Sequence, residues 1–221
     1  MYLGDGCICV TPRVCYLRVS LDALYPSVVA ECADAMRVVM PGIAVRIHPR
    51  PGARMVNVDS HTRRWPDAFP QHGRGRKHER PIVLADWQQE IVDRFPEQFL
   101  RGLIHSDGCR TMNRFKTKLP SGRVGEYEYA RYFFSNLSAD IRALFCGSCD
   151  QLGIRWTQSN PRNISVSHRR ASRGSTSSWA RRAKRPCERA PPSCGAAAAA
   201  ASAAGRAWSA ARAPRRPGRA R

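Results

Sequence analysis

The sequence predicts an α+β protein made of two related halves, each running helix, β-hairpin, helix, β-hairpin (αββαββ), with pseudo-two-fold symmetry and a shortened first helix. Three observations predict it. The tripeptide Asp5-Gly6-Cys7 recurs as Asp107-Gly108-Cys109, 102 residues later. Downstream of each copy the patterns come in the same order: residues 14–19 correspond to 129–134, and residues 26–39 to 138–152. Finally, residues 99–109 form an apolar, small-residue helix pattern that delivers one carboxylate at its end.

Taken in order, residues 8–10 and 14–19 read as a hairpin turning through Thr11-Pro12-Arg13. Arg13 and Arg18 alternate with apolar residues there, which leaves one face for a partner. Pro26 opens a helix to Val39 with an apolar stripe of Val28, Val29, Cys32, Ala35, Met36 and Val39, and Pro41-Gly42 ends it. Residues 43–47 and 55–58 form the second hairpin, with Arg46, His48, Arg50 and Arg54 around Pro51-Gly52 as the best basic patch of the first half. Residues 65–70 are a short helical or turn element leading into the glycine-interrupted basic stretch 71–80, read as a flexible linker suited to phosphate contact or to simple solvation.

In the second half, Asp86 is placed as the N-cap of a helix and Pro96 restarts the chain into the next one. Residues 110–118 form a strand carrying Arg110, Asn113, Arg114, Lys116 and Lys118, a density suited to a ribbon in a major groove. The return strand, 127–134, is aromatic; its Tyr132, Phe133 and Phe134 are read as core, with single-stranded base stacking as the alternative. Ser138 caps a helix to Leu152, Gly153 stops it, and residues 154–158 and 163–167 close the last hairpin through Asn160-Pro161-Arg162.

Within the helix ending at Asp107, Phe99, Leu100, Leu103 and Ile104 share one face, and Gly102 sits on that seam. A glycine inside a helix costs about 1 kcal/mol relative to alanine, so it marks a place where another backbone comes close. Gly108 is expected to cap the helix in the left-handed conformation. A carboxylate at the negative end of a helix calls for a compensating cation.

Residues 100–108, Leu-Arg-Gly-Leu-Ile-His-Ser-Asp-Gly, resemble the LAGLIDADG motif at six of nine positions, and residues 1–168 resemble a single-chain LAGLIDADG homing endonuclease. The first copy is cut short, since only Tyr2 and Leu3 precede Gly4. The chain also resembles actinobacterial-type LAGLIDADG-like or helix-turn-helix regulators whose usual amino-terminal extension it lacks, which implies a misplaced start codon. The resemblance implies a domain plan of residues 1–80 as the first repeat with its basic linker and 81–168 as the second, with 169–221 as a basic low-complexity tail. It implies that the two motif helices pack through small residues and that Asp5 and Asp107 hold a divalent cation, Mg2+ as the expected cofactor, above a sheet saddle that binds double-stranded DNA.

Phosphodiester hydrolysis needs a metal-activated water and a metal near the leaving oxygen, which carboxylates from two helix ends can supply without histidine. Asp5 and Asp107 are therefore the expected catalytic and metal-binding residues, with Gly4, Gly6, Ser106 and Gly108 allowing close backbone approach. Lys116, Arg114 and Arg46 are candidates for stabilising transition-state charge. The expected nucleic-acid contacts are Arg13, Arg18, Arg46, Arg50, Arg54, Arg110, Asn113, Arg114, Lys116, Lys118 and Arg162. A non-catalytic DNA-binding transcription regulator on the same scaffold is the alternative, and an RNA-binding module using the aromatic strand is the third reading.

Charge is consistent with a polyanion partner. The net charge is +20; residues 168–221 hold 14 Lys and Arg against one acidic residue, leaving 23 against 16 for residues 1–167. From residue 170 onward no apolar periodicity survives, which predicts disorder, and the composition also fits translation in a shifted frame of a GC-rich gene. The nine cysteines are an odd number and no secretory signal precedes them, so reduced thiols and a cytoplasmic location, at the nucleoid in a bacterium, are expected. Cys146-Gly147-Ser148-Cys149 has no second ligand pair to complete a zinc site and reads as small residues buried on a helix. No apolar run approaches the ~20 residues a membrane span needs.

Overall fold

Each half folds as the αββαββ unit expected, and the two sheets have the same strand order. The computed structural model describes residues 1–167; the expectations for the tail, including Cys187, Cys194 and the disorder of 169–221, lie outside them. The first half comprises α1 (Tyr2–Asp5), β1 (Gly6–Val10), β2 (Cys15–Asp22), α2 (Pro26–Val39), β3 (Val45–Pro49) and β4 (Met55–His61). A connection containing α3 (Trp65–Ala68), a 3-10 turn (Lys77–Glu79) and α4 (Asp86–Arg94) leads to the second half. That half comprises α5 (Pro96–Asp107), β5 (Gly108–Lys118), β6 (Val124–Ser135), α6 (Ala139–Gln151), β7 (Trp156–Asn160) and β8 (Asn163–Ser167). The sheets run β1-β2-β4-β3 and β5-β6-β8-β7, all antiparallel.

The local chemistry explains most boundaries. Pro26 and Pro96 occupy the first turns of α2 and α5, where the missing N–H costs nothing. Ser138 accepts a hydrogen bond from the Ile141 N–H and starts α6. At the N-terminus of α4 the cap position is Ala85 rather than Asp86, which is the first helical residue; the Gln88 side chain reaches back to the Ala85 N–H instead. The hairpin turns at Gly52 (φ 71°) and Gly122 (φ 80°) need the left-handed conformation that favours glycine.

One apolar core runs through both halves. Leu17, Val19 and Leu21 of β2 and Val58 of β4 meet Val28, Cys32 and Met36 of α2 in the first half. Tyr132 and Phe134 of β6, with Ile164 and Val166 of β8, meet Ile141, Phe145 and Cys149 of α6 in the second. The Phe134 and Phe145 rings stack with centroids 4.4 Å apart. Between the halves lie Tyr2 and Leu3 of α1 and Leu100, Leu103 and Ile104 of α5. Tyr132 and Phe134 are core as expected, whereas Phe133 is half-buried on the other face of the sheet. The seven described cysteines are free thiols, and Cys149 packs in the core as the C-x-x-C reading anticipates. Among the described residues no helix is long and apolar enough to cross a membrane.

Candidate functional site

The two Asp-Gly copies become structurally equivalent helix ends. Asp5 is the last residue of α1 and Asp107 the last of α5. In each, the following glycine turns the chain into a strand while its N–H closes the helix: Gly6 to the Tyr2 carbonyl, Gly108 to the Ile104 carbonyl. Gly108 is not left-handed, as its position suggests, but extended at φ −96° and ψ 155°, like Gly6 at φ −84° and ψ 147°. The need for glycine there is steric. A Cβ on Gly108 would lie 2.5 Å from the Ile104 carbonyl oxygen, and one on Gly6 would lie 2.7 Å from the Tyr2 Cα.

The helix ends meet along a seam of small residues. A Cβ on Gly102 would come within 2.9 Å of the Met1 backbone nitrogen, which is the close approach expected of that glycine. Gly4 abuts α5 still more tightly, because its Cβ would lie 2.3 Å from Ser106 Oγ, 2.5 Å from Ser106 Cβ and 2.8 Å from Asp107 Oδ2. Asp107 is thus brought against the residue preceding Asp5. The two carboxylates line separate clefts that share no lining residue: Asp107 a cleft of about 440 Å³ with Cys7, Lys77, Arg80 and Asn136, Asp5 one of about 490 Å³ with Asp22, Arg54, His105 and Ser106. From α5, Arg101 pairs with Glu31 of α2, and His105 Nδ1 lies 3.8 Å from the same carboxylate, fixing the helix against the first half.

Two residues that the sequence does not single out complete the site. Lys77 lies in the stretch expected to be a flexible linker; instead its Nζ donates to the carbonyls of Tyr2, Leu3 (3.1 Å) and Gly4 (2.8 Å), capping the negative end of α1. Burial pushes its pKa down to about 8, while Asp107 and Asp5 pull it back up. The compensating cation that the helix-end argument demands is therefore, in part, the protein's own. Asn136 donates through Nδ2 to Asp107 Oδ2 at 2.7 Å, and its Oδ1 accepts the Ser138 N–H at 2.8 Å, tying the carboxylate to the start of α6. Burial raises the Asp107 pKa, against the opposing effects of Asn136 and Lys77. Asn136 sits two residues before the cap serine, a local turn signal. Nothing local marks Lys77.

Strand register sorts the remaining candidates by face. Residues paired directly across a ladder share a face, so Arg110, Arg114, Lys116 and Lys118, opposite Tyr132, Glu128, Glu126 and Val124, lie on the face that continues the core. Arg114 and Lys116 are also ion-paired there, to Glu128 at 3.2 Å and Glu126 at 2.5 Å. Asn113 lies on the opposite, helix-free face with Thr111, Phe115, Tyr127, Tyr129 and Arg131. The charged ribbon is thus two surfaces. In an extended strand rising about 3.3 Å per residue, Arg114 and Lys116 lie roughly 20–30 Å along β5 from Asp107, too far to stabilise charge beside it. Arg46 lies on the far edge strand, three strand spacings or about 14 Å from β1.

The helix-free face of the first sheet carries Arg18 and Arg46, register partners of Asp59 on either side, together with His48, Tyr16 and Asn57. Arg18 grips Asp59 with two hydrogen bonds of 2.8 and 2.7 Å, and His48 Nε2 lies 3.4 Å from the same carboxylate. Arg13 lies in the β1–β2 turn, Arg50 and Arg54 flank the β3–β4 turn, and Arg162 is in the β7–β8 turn; all four are exposed. Arg131, missed in the sequence, joins the helix-free face of the second sheet, donating to Ser165 Oγ at 2.8 Å and lying over the Phe133 ring.

Fold and site together define an α+β protein of two like halves whose acidic helix ends meet between two sheets with arginine-bearing outer faces. No protein-family model matches the chain, and no curated protein matches it. Among solved structures it is similar to the LAGLIDADG meganuclease I-AabMI bound to uncleaved DNA (14% identity, TM-score 0.44, 76% of each chain covered). It is similar also to the I-LtrWI LAGLIDADG homing endonuclease bound to target DNA (8%, 0.45, 76% of this chain and 75% of that one). A third is I-SmaMI bound to an uncleaved DNA target in the presence of calcium ions (10%, 0.40, 76% of each chain).

Proposed function

We propose that this chain is a double-stranded DNA-binding protein of LAGLIDADG homing endonuclease type that hydrolyses phosphodiester bonds with a divalent cation. The observation that carries the reading is the meeting of the duplicated helix ends, which sets Asp107 Oδ2 against Gly4, the residue before Asp5, with the two carboxylates lining separate clefts. The donor chemistry fits a hard cation such as Mg2+, which is commonly held by one or two carboxylates with water and substrate phosphate supplying the rest. Asp107 in one cleft and Asp5 in the other each offer such a carboxylate; among the described residues no group of three or more His, Cys, Asp and Glu competes as a metal site. When bound, such a cation supplies an activated water and charge neutralisation at the leaving oxygen.

The chain's own residues do the rest. Asn136 holds the Asp107 carboxylate in one orientation, and Lys77 places a positive charge within reach of both acids, where phosphoryl charge would develop. Arg18, Arg46 and Arg131 on the helix-free faces, with Arg13, Arg50, Arg54 and Arg162 at the turns, bind and orient the duplex through its phosphates and base edges. Incubation of supercoiled plasmid with the protein and Mg2+ tests the reading. Nicking that is abolished by Asp107→Asn supports it.

A second reading, a non-catalytic transcription regulator of the actinobacterial LAGLIDADG-like type, is favoured by one observation: Lys77 already supplies counter-charge at the acidic helix ends. Duplex retention in a gel shift, with no cleavage under any divalent cation, selects it over the nuclease.

A further inference from the structure

We propose that Phe115 and Tyr127 form an apolar reader of the thymine 5-methyl group in the DNA major groove. This rests on the duplex-binding reading above. The two residues are register partners on β5 and β6, on the helix-free face, and their rings stack with centroids 5.3 Å apart. They are large aromatics left 39% and 44% exposed. Tyr129 braces Phe115 edge-on at 6.0 Å, and Asn113 Nδ2 donates to the Tyr129 hydroxyl at 2.9 Å, so the platform is held from one side.

Its position fits a groove. Among the described residues β8 pairs with β6 from Arg131 to Ser135, and beyond Arg131 the paired β5 and β6 run on as a ribbon. A two-stranded ribbon is the β element that the major groove admits. On the ribbon's other face Arg114 and Lys116 are paired with Glu128 and Glu126, whereas the aromatic face continues into Arg131 with no acidic residue among its register partners from Thr111 to Thr117. A cationic flank at Arg131 suits a polyanion, and the apolar centre must meet something apolar. Phe115 has no donor or acceptor, so it cannot read the hydrogen-bonding edges of bases. The one apolar group that base edges present in the major groove is the thymine methyl.

A cross-strand aromatic pair can also serve only to staple a ribbon. Random-sequence duplex pools made with dTTP or with dUTP differ solely in that methyl, and fluorescence anisotropy compares their affinities. Burying one methyl-sized group is worth about 0.8 kcal/mol, or about fourfold in affinity. The wild type is expected to bind the thymine pool about fourfold tighter or more. Phe115→Ser/Tyr127→Ser is expected to bind both pools equally while keeping its circular dichroism spectrum, and Phe115→Leu to retain a preference for thymine. Equal wild-type binding to the two pools overturns the proposal, as does a preference that survives in the double serine variant. Tighter binding to the single-stranded form of the pool, lost in that variant, overturns it in favour of base stacking. Absence of binding to either duplex pool overturns the duplex-binding reading itself, and the methyl reader with it.

Discussion

Replacing Gly4 by alanine drives a methyl group into Ser106. Its Cβ would lie 2.3 Å from Ser106 Oγ and 2.5 Å from Ser106 Cβ, where ordinary contacts are 3.4–4 Å, so α1 and α5 must part by about 1 Å. Overpacking of this kind costs typically about 1–3 kcal/mol. The second substitution Ser106→Gly removes both clashing atoms and leaves Asp107 Oδ2, the mobile end of a side chain, at 2.8 Å. Ser106→Gly alone should cost about 1 kcal/mol for glycine in a helix. Relief of the clash should therefore make the double variant about 1–2 kcal/mol more stable than the two single effects predict. Urea unfolding followed by circular dichroism reads this directly: at a slope of about 1–3 kcal/mol per molar, Gly4→Ala shifts the midpoint down by roughly 1 M. Strict additivity of the two substitutions would show that the helices do not meet at Gly4 and Ser106.

Further outcomes concern the same site and the sheet beside it. The Lys77 pKa of about 8 is held up by Asp107 and Asp5, so NMR titration of a labelled lysine should show it falling below about 8 in Asp107→Asn; a rise would contradict the geometry. Because the folded value lies below the ordinary 10.5, the folded chain binds fewer protons between those two pH values, and stability should rise with pH across that window from this group, a slope that Lys77→Met should abolish in urea midpoints. Asn136→Ala deletes the 2.7 Å hydrogen bond to Asp107 and should cost about 1.5–3 kcal/mol while lowering nicking more than duplex affinity, measured on the same preparations. Arg18→Ala leaves the buried Asp59 carboxylate without its two-pronged partner and should destabilise by about 3 kcal/mol in urea unfolding, most of which Arg18→Ala/Asp59→Ala recovers.

Much of the scaffold is legible in the sequence because its signals are local. α2 begins at Pro26 and ends at Val39 where proline chemistry and the apolar stripe place it, and Ser138 caps α6 as predicted. Gly102 stands out on the seam by its cost in a helix, and the Met1 backbone is what it accommodates. Features set by long-range contact are not legible. Gly108 looks like a left-handed cap because sequence shows the helix exit but not the pairing with Phe134 that draws the chain straight into β5. Lys77 looks like linker because its partners at Tyr2 to Gly4 are more than 70 residues away. The basic strand looks like one surface because alternation assigns residues to two faces but only pairing with Glu126, Glu128 and Tyr132 says which face is which. Arg131 escapes notice for the same reason.

The central claim is that Asp5 and Asp107 each hold a divalent cation at the helix seam. Electron paramagnetic resonance titration of Mn2+ into the protein, in the presence of a short DNA duplex, tests it most directly. Bound Mn2+ that falls in each of Asp5→Asn and Asp107→Asn, with duplex affinity retained, is the predicted result; Mn2+ binding unchanged in both variants would contradict it.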